Sequence, residues 1–280
     1  MIRINEMTGG RFGNRILHYN SLVQLADHMK TDASCVPWEG YEVFDNLKTY
    51  KQSDNHEVGV TWKDVLSDEI TPEGGVDIAV GPYCIHNTFY KLTKKDPRNF
   101  FRINEKYRKN FSKDKTHVGI HFRGTDILGA DGNHGREIHS PRYYMDAIDL
   151  VESEFENIHY HICTDDMNFI SFLKTVEYLS AGELEYSLGS PDHFEDFSTL
   201  AECDVLISSS STFVVCAGFV GKENKKIIHS MEWMKKNLDH TPWHLKPDPE
   251  SVRSWQLSFD NFWVDLYNGG NDFYKAWKYV

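Results

Sequence analysis

At 280 residues and a formal net charge of −12, the chain is long enough for one large domain or two smaller ones, and its acidity excludes a broad nucleic-acid surface, which needs cations to displace counterions. A hydrophobic share of 40% and a charged share of 26% suit an ordinary globular enzyme, and a local basic pocket for a phosphorylated small molecule stays open. Five cysteines, at 35, 84, 163, 203 and 216, form no C-x-x-C pair, which points away from a disulfide scaffold or zinc site and toward a reducing compartment, the cytoplasm.

The opening "MIRINEMTGGRFGNRILHYNSLVQLADHM" lacks the long apolar run of a signal peptide, and no later run is long enough to span a bilayer. It reads as a short strand, a glycine turn and a helix. Ile16, Tyr19, Val23 and Ala26 keep helical spacing, with Leu22, Leu25 and Met29 widening the apolar face. From Thr31 to Tyr90 the pattern is weak; Trp38, Tyr41, Phe44 and Trp62 suit a core, with sugar stacking as the other use, and "GGVDIAVGPY" holds a short strand. The charged stretch 94–115 reads as a surface helix and turn at a domain boundary.

Beyond it, strands and helices alternate. "HVGIHF" is a strand, and "SPRYYMDAIDLVESEF" a helix capped by Ser140 with Pro141 in its first turn and Tyr144, Ala147, Ile148, Val151 and Phe155 as its buried stripe. "IHYHICT" is a strand, "DDMNFISFLKTV" a helix capped by an aspartate, "FEDFSTLAE" a short helix and "CDVLISS" a strand. "STFVVCAGFVG" is a helix opened by Ser211 or Thr212, and "KKIIHS" a last strand. Such alternation predicts right-handed crossovers and a parallel sheet. The final forty residues, rich in tryptophan and tyrosine, read as helices packed on the outside.

Three of these strands end in polar clusters, "HFRGTD", "CTDD" and "SSSST". Ligands of open parallel sheets bind outside the carboxyl ends of the strands, so the clusters should meet at one crevice. Alternation puts Val118, Ile120 and Phe122 on one face of their strand and His117, Gly119, His121 and Arg123 on the other. Arginine's planar fork suits phosphate, and the hydroxyl run Ser208–Thr212, with Ser210 inside it, opens a helix whose free N–H groups and dipole attract anions. Together they outline a diphosphate site. The other use of Arg123 is an ion pair with Asp126, and that of the serine run an ordinary capped turn. Thr164 and Asp165 suit either a helix cap or a nucleotide contact. No His, Cys and carboxylate grouping has metal spacing, "GFVGKEN" lacks the P-loop pattern, and the fourteen histidines read as surface or satisfied core residues.

In this order the motifs resemble a family. "HFRGTD" is similar to the H-x-R-R-x-D motif of the α1,2-, α1,6- and protein O-fucosyltransferase superfamily, and "GGRFGNRILHY" to the opening of its α1,2 branch. "DFSTLAECDVLISSSSTF" resembles that branch's segment near the C-terminal end, and "CTDD" a strand end of the α1,6 and nodulation branches.

The resemblance implies a GT-B-like α/β fold of two facing Rossmann-like domains with parallel sheets. The expected layout is an acceptor-side domain over 1–110, a GDP-sugar-binding domain over 111–245 and a helical tail over 246–280. It implies an inverting, metal-independent transfer of fucose from GDP-fucose to a glycan or saccharide hydroxyl, α1,2-type favoured, with no cofactor beyond the donor. By motif position Gly13, Asn14, His121, Asp165, Ser210, Ser211 and Thr212 line the donor site and Arg123 grips the pyrophosphate. Asp196 takes guanine, whose ring N–H and exocyclic amine offer one carboxylate a paired donor edge; its other reading is a helix cap. Asp131 is the expected base, and Asp126 holds Arg123 or the loop. Gly124 replaces the motif's second arginine, Asp131 stands where the α1,6 branch has a glutamate, and Ile127 replaces a lysine. Transfer from another GDP-sugar, and non-catalytic GDP-sugar binding, are the alternatives.

Overall fold

The computed structural model describes residues 1–7, 10–60, 76–80, 97–125, 139–209, 211–222 and 225–228. The chain divides into two compact units, Met1–Lys106 and Tyr107–Val280. Each is built on its own sheet, and every strand pairing in both sheets is parallel.

The first unit comprises β1 (Ile2–Ile4), α1 (Phe12–His28), β2 (Ala33–Cys35), α2 (Gly40–Val43), β3 (His56–Val60) and β4 (Val76–Val80), with sheet order β2-β1-β4-β3. Helix α1 buries Ile16, Tyr19, Leu22, Val23, Leu25 and Ala26 as its spacing predicts, while Met29 stays partly exposed. It also buries His18, Asn20, Ser21 and Gln24, so the helix is enclosed on both sides rather than amphipathic. Trp38 and Phe44 join Phe12, Tyr19 and Phe101 in one aromatic core, with ring centroids 5.1–6.2 Å apart. Trp38 is therefore a core residue; Trp62 lies outside the described residues.

The described part of 94–115 is not a surface helix. After a 3-10 turn at Pro97–Asn99 it runs through a bridge at Ile103 and turns again over 105–107, burying Phe101, Ile103 and Tyr107. Its main chain pairs with the α2 exit instead of with itself: Asp45 N–H donates to Arg102 O at 3.0 Å, and Asn104 N–H to Val43 O at 2.8 Å. Charged residues between those apolar ones mimic an exposed helix in composition, but Phe101 and Ile103 keep the period of two that an extended segment uses.

The second unit comprises β5 (Thr116–Phe122), α3 (Pro141–Glu154), β6 (Ile158–Thr164), α4 (Ile170–Ala181), β7 (Tyr186–Leu188), α5 (His193–Glu202), β8 (Val205–Ile207), α6 (Thr212–Val220) and β9 (Lys226–Ile228). Its sheet order is β7-β6-β5-β8-β9. Val118, Ile120 and Phe122 pack under α3 and α4 against Tyr144, Ile148, Val151 and Phe172. Burying each such side chain is worth about 1.5–3 kcal/mol. Tyr143 is buried beside Tyr144, one residue outside the expected stripe, and Phe155 only partly.

On the opposite face α5 approaches so closely that a Cβ on Gly119 would lie 2.7 Å from Leu200 Cδ2 and 3.2 Å from Cys203 Sγ. Glycine in mid-strand is what admits that helix. Helix α4 departs from expectation, starting at Ile170 with Phe169 at its cap position and no side-chain cap. Asp166 instead turns the chain beforehand, its Oδ1 accepting Asn168 N–H at 2.9 Å. The tail over 246–280 lies outside the described residues. Among the described residues no helix is long and apolar enough to cross a membrane.

Candidate functional site

From β5 the chain builds outward through β6 to β7, then returns to place β8 and β9 on the other side of β5. Strand order therefore reverses between β5 and β8, the place at which open parallel sheets bind their ligands. Register pairs Ile120 with Ile207, which brings the exits "HFRG" and "SSSST" side by side.

His121, 6% exposed, is held on both sides of its ring. Its Nδ1 lies 2.6 Å from Ser209 Oγ, and its face stacks on Phe213 in the first turn of α6, centroids 5.3 Å apart. Tyr144 Oη donates to His121 O at 3.4 Å, and Tyr143 Oη donates to Ser208 O at 2.8 Å. The paired tyrosines of α3 thus tie the ends of both strands that flank the reversal.

Arg123 Nη1 lies 3.5 Å from Ser211 Oγ. Ser211 is the N-cap of α6, and its hydroxyl accepts Phe213 N–H at 3.2 Å. Thr212 opens the helix. A guanidinium thus faces the positive end of a nine-residue helix, and two like-signed ends directed at one place favour an anion between them. Ser210, Asp126 and Asp131 lie outside the described residues. Gly13 and Asn14 lie in the first turn of α1 in the first unit.

Asp196 is not a helix cap. That place belongs to Asp192, whose carboxylate accepts Phe194 N–H at 2.9 Å. Asp196 sits one turn in, 6% exposed, and accepts Ser190 N–H at 2.7 Å. Burial pushes its carboxyl up to about 6, offset in part by that hydrogen bond. The carboxylate lines a cavity of about 200 Å³ with Lys109, His161, Ser190, Glu195 and Thr199. The next residue, Phe197, meets Phe213 edge-on at 5.4 Å, so one ring contact links this cavity's wall to the wall behind His121.

Nor is Asp165 a helix cap: its carboxylate takes main-chain donors from the β5 exit. The histidines include a cluster that sequence reasoning passed over. His117 Nδ1 lies 2.9 Å from His161 Nε2, His161 Nδ1 lies 3.1 Å from Ser187 Oγ, and Phe111 stacks on both rings at 4.4 Å. Half of the signal was in the sequence, where alternation sets His159 and His161 on one face; the register that pairs His117 with His159 only the structure supplies. Among the described residues no group of three or more His, Cys, Asp or Glu side chains is arranged to hold a metal ion.

No family model matches the chain, and no curated protein sequence matches it. Solved structures share its fold. A crystal structure of POFUT1 in complex with GDP superposes with a TM-score of 0.51 at 10% identity, covering 79% of this chain and 96% of that one. An Arabidopsis thaliana FUT1 mutant in complex with GDP gives 0.51 at 9% identity, covering 81% of this chain and 69% of that one. With its two parallel sheets, the chain has a GT-B-like fold.

Proposed function

We propose that the protein is a glycosyltransferase that moves fucose from GDP-fucose to a hydroxyl of a glycan or saccharide, with inversion, without a metal and in the α1,2 manner. The observation that carries the reading is Arg123 facing the Ser211-capped start of α6 at the strand-order reversal. The two solved structures named above, both fucosyltransferases in complex with GDP, support the choice of donor.

The chemistry follows from the residues. When the sugar–phosphate bond breaks, charge collects on the departing diphosphate, and preorganised donors stabilise it most where water is excluded. Arg123 and the α6 N-terminus supply such donors, the work a divalent cation does in other transferases. A hydrogen bond as long as 3.5 Å between Arg123 and Ser211 is readily exchanged for phosphate oxygens. His121 walls the nucleotide, and Asp196 accepts the paired N–H edge of guanine. The sugar passes through an oxocarbenium-like state while a carboxylate on its far face, Asp131 by motif position, takes the acceptor's proton. Buried free thiols at Cys35, Cys163, Cys203 and Cys216 support a reducing, cytoplasmic setting.

One observation favours a second reading, non-catalytic GDP-sugar binding. Gly124 replaces the motif's second arginine, and Asp166 packs over it. The deciding experiment is thermal stabilisation by GDP, UDP and ADP, then GDP release from GDP-fucose with an acceptor present. At about a hundred times its dissociation constant a ligand adds roughly 2.7 kcal/mol. Selective stabilisation by GDP is the expected result, and equal response to all three nucleotides refutes the donor assignment. GDP binding without acceptor-dependent release leaves the binding module.

A further inference from the structure

The turn after β6 carries a carboxylate that the chemistry above does not use. Asp165 Oδ1 accepts Gly124 N–H at 2.7 Å and, more weakly, Thr125 N–H at 3.4 Å, while its Oδ2 accepts the Thr125 hydroxyl at 2.7 Å. All three donors belong to the two residues that follow Arg123. The same turn closes over Gly124, where an added Cβ would lie 2.8 Å from Asp166 Cβ and 3.2 Å from Phe169 Cβ. Glycine at this position lets the turn seat directly on main chain.

We propose that Asp165 is a positioning residue that aims Arg123 by gripping the backbone just beyond it. Strand β5 ends at Phe122, so Arg123 is the first residue past the ladder, and a small rotation of its backbone swings a long side chain by ångströms. Hydrogen bonds to an ionised carboxylate are about twice as strong as neutral ones, and two of these three hold main-chain or side-chain groups at 2.7 Å. The carboxylate is directed at those donors, and its charge would repel a diphosphate; its contribution runs through Arg123. This rests on the anion-site reading of Arg123 and Ser211 given above.

The test is a double-mutant cycle read on two ligands, GDP and inorganic pyrophosphate, by calorimetry on the full chain. Asp165→Ala is expected to weaken both about tenfold, Asp165→Asn, which keeps an amide acceptor, to recover most of the loss, and Thr125→Val to weaken them about threefold. In an Arg123→Ala background Asp165→Ala should add less than twofold, because the residue acts through the missing arginine. A full tenfold loss in that background would make Asp165 an independent ligand and overturn the proposal. So would unchanged affinity with a lowered melting temperature, the mark of a merely structural turn. Wild-type binding of pyrophosphate without GDP refutes the GDP assignment alone, and the pyrophosphate cycle still decides Asp165. Binding of neither refutes both.

Discussion

His121 and Ser209 meet at 2.6 Å across the reversal of strand order, joining the exits of β5 and β8 by one side-chain hydrogen bond. The bond fixes the plane of the imidazole while Phe213 fixes its face. His121→Phe keeps the stack and loses the nitrogens. It is expected to leave the melting temperature within a few degrees and to weaken GDP about tenfold, whereas Ser209→Ala costs about 1 kcal/mol of stability. Thermal melts with and without GDP check both.

On the proposed reading, Asp196 trades stability for recognition of guanine. Because burial raises its pKa to about 6, the native state holds a proton that the unfolded chain releases between pH 6 and 3.8. Burying the ionised form therefore costs stability above about pH 6, and the cost fades as pH falls toward 4. Asp196→Asn keeps an acceptor for Ser190 N–H and should stabilise the ligand-free protein by about 1–3 kcal/mol at pH 8, with the gain shrinking at pH 5. The same variant should lose its preference for GDP over ADP. Urea unfolding at the two pH values, with binding at pH 8, decides it.

The histidine cluster works in the opposite direction. Burial, together with the neighbouring His159 and His117, pushes His161 down to about 3, and burial likewise lowers His117. His161 is neutral in the native state near pH 6 and His117 is biased toward its neutral form, while the unfolded chain takes up protons below about 6.5. Stability therefore falls as pH drops from about 6.5 toward 5, by at most about 1.4 kcal/mol per pH unit for each histidine. Glu185, whose carboxyl the Lys115 and His159 hydrogen bonds pull down to about 2, faces the cluster together with Lys115, Asp204 and Lys222. Asp196 takes up a native proton there and masks part of the slope. The expected outcome is a steeper pH slope of unfolding free energy in Asp196→Asn, and a shallower one when His161→Gln is added.

Lys225 is buried, and its ammonium donates to the last carbonyls of α5, Leu200 O at 2.8 Å and Ala201 O at 2.5 Å. The ammonium joins Cys203 N–H and Lys222 N–H on those two carbonyls, and a cation at a helix C-terminus complements the dipole. Lys225→Met should cost about 1–3 kcal/mol. Because α5 carries Asp196, chemical denaturation and GDP titration together test whether the loss reaches the cavity or stays a matter of stability.

Much of the second unit was legible in the sequence because its signals are local. Period-two alternation gave β5 and β6 nearly to the residue, and Ser140 with Pro141 gave the start of α3. The hydroxyl run before an apolar segment gave the start of α6. The strands β2, β3 and β7 escaped: β2 and β7 have three residues each, and "ASC" and "YSL" lack the apolar β-branched run that marks the equally short β8 and β9. The extended run around Phe101 was misread because its partner, the exit of α2, lies more than fifty residues away.

The sequence by itself thus determined an α/β chain with parallel strands, and which strand ends carry charge and hydroxyls, since alternation and capping depend on neighbours within a turn or two. Tertiary structure alone decided what those groups do. Asp165 could cap a helix or hold a loop with equal local propriety, and only the parallel pairing of β5 with β6 brings it onto the amides of residues forty-one and forty positions away. Asp196 likewise becomes a buried, proton-retaining carboxylate because α5 lays it against the Gly189–Ser190 turn, and desolvation is a property of the packed interior, not of the chain.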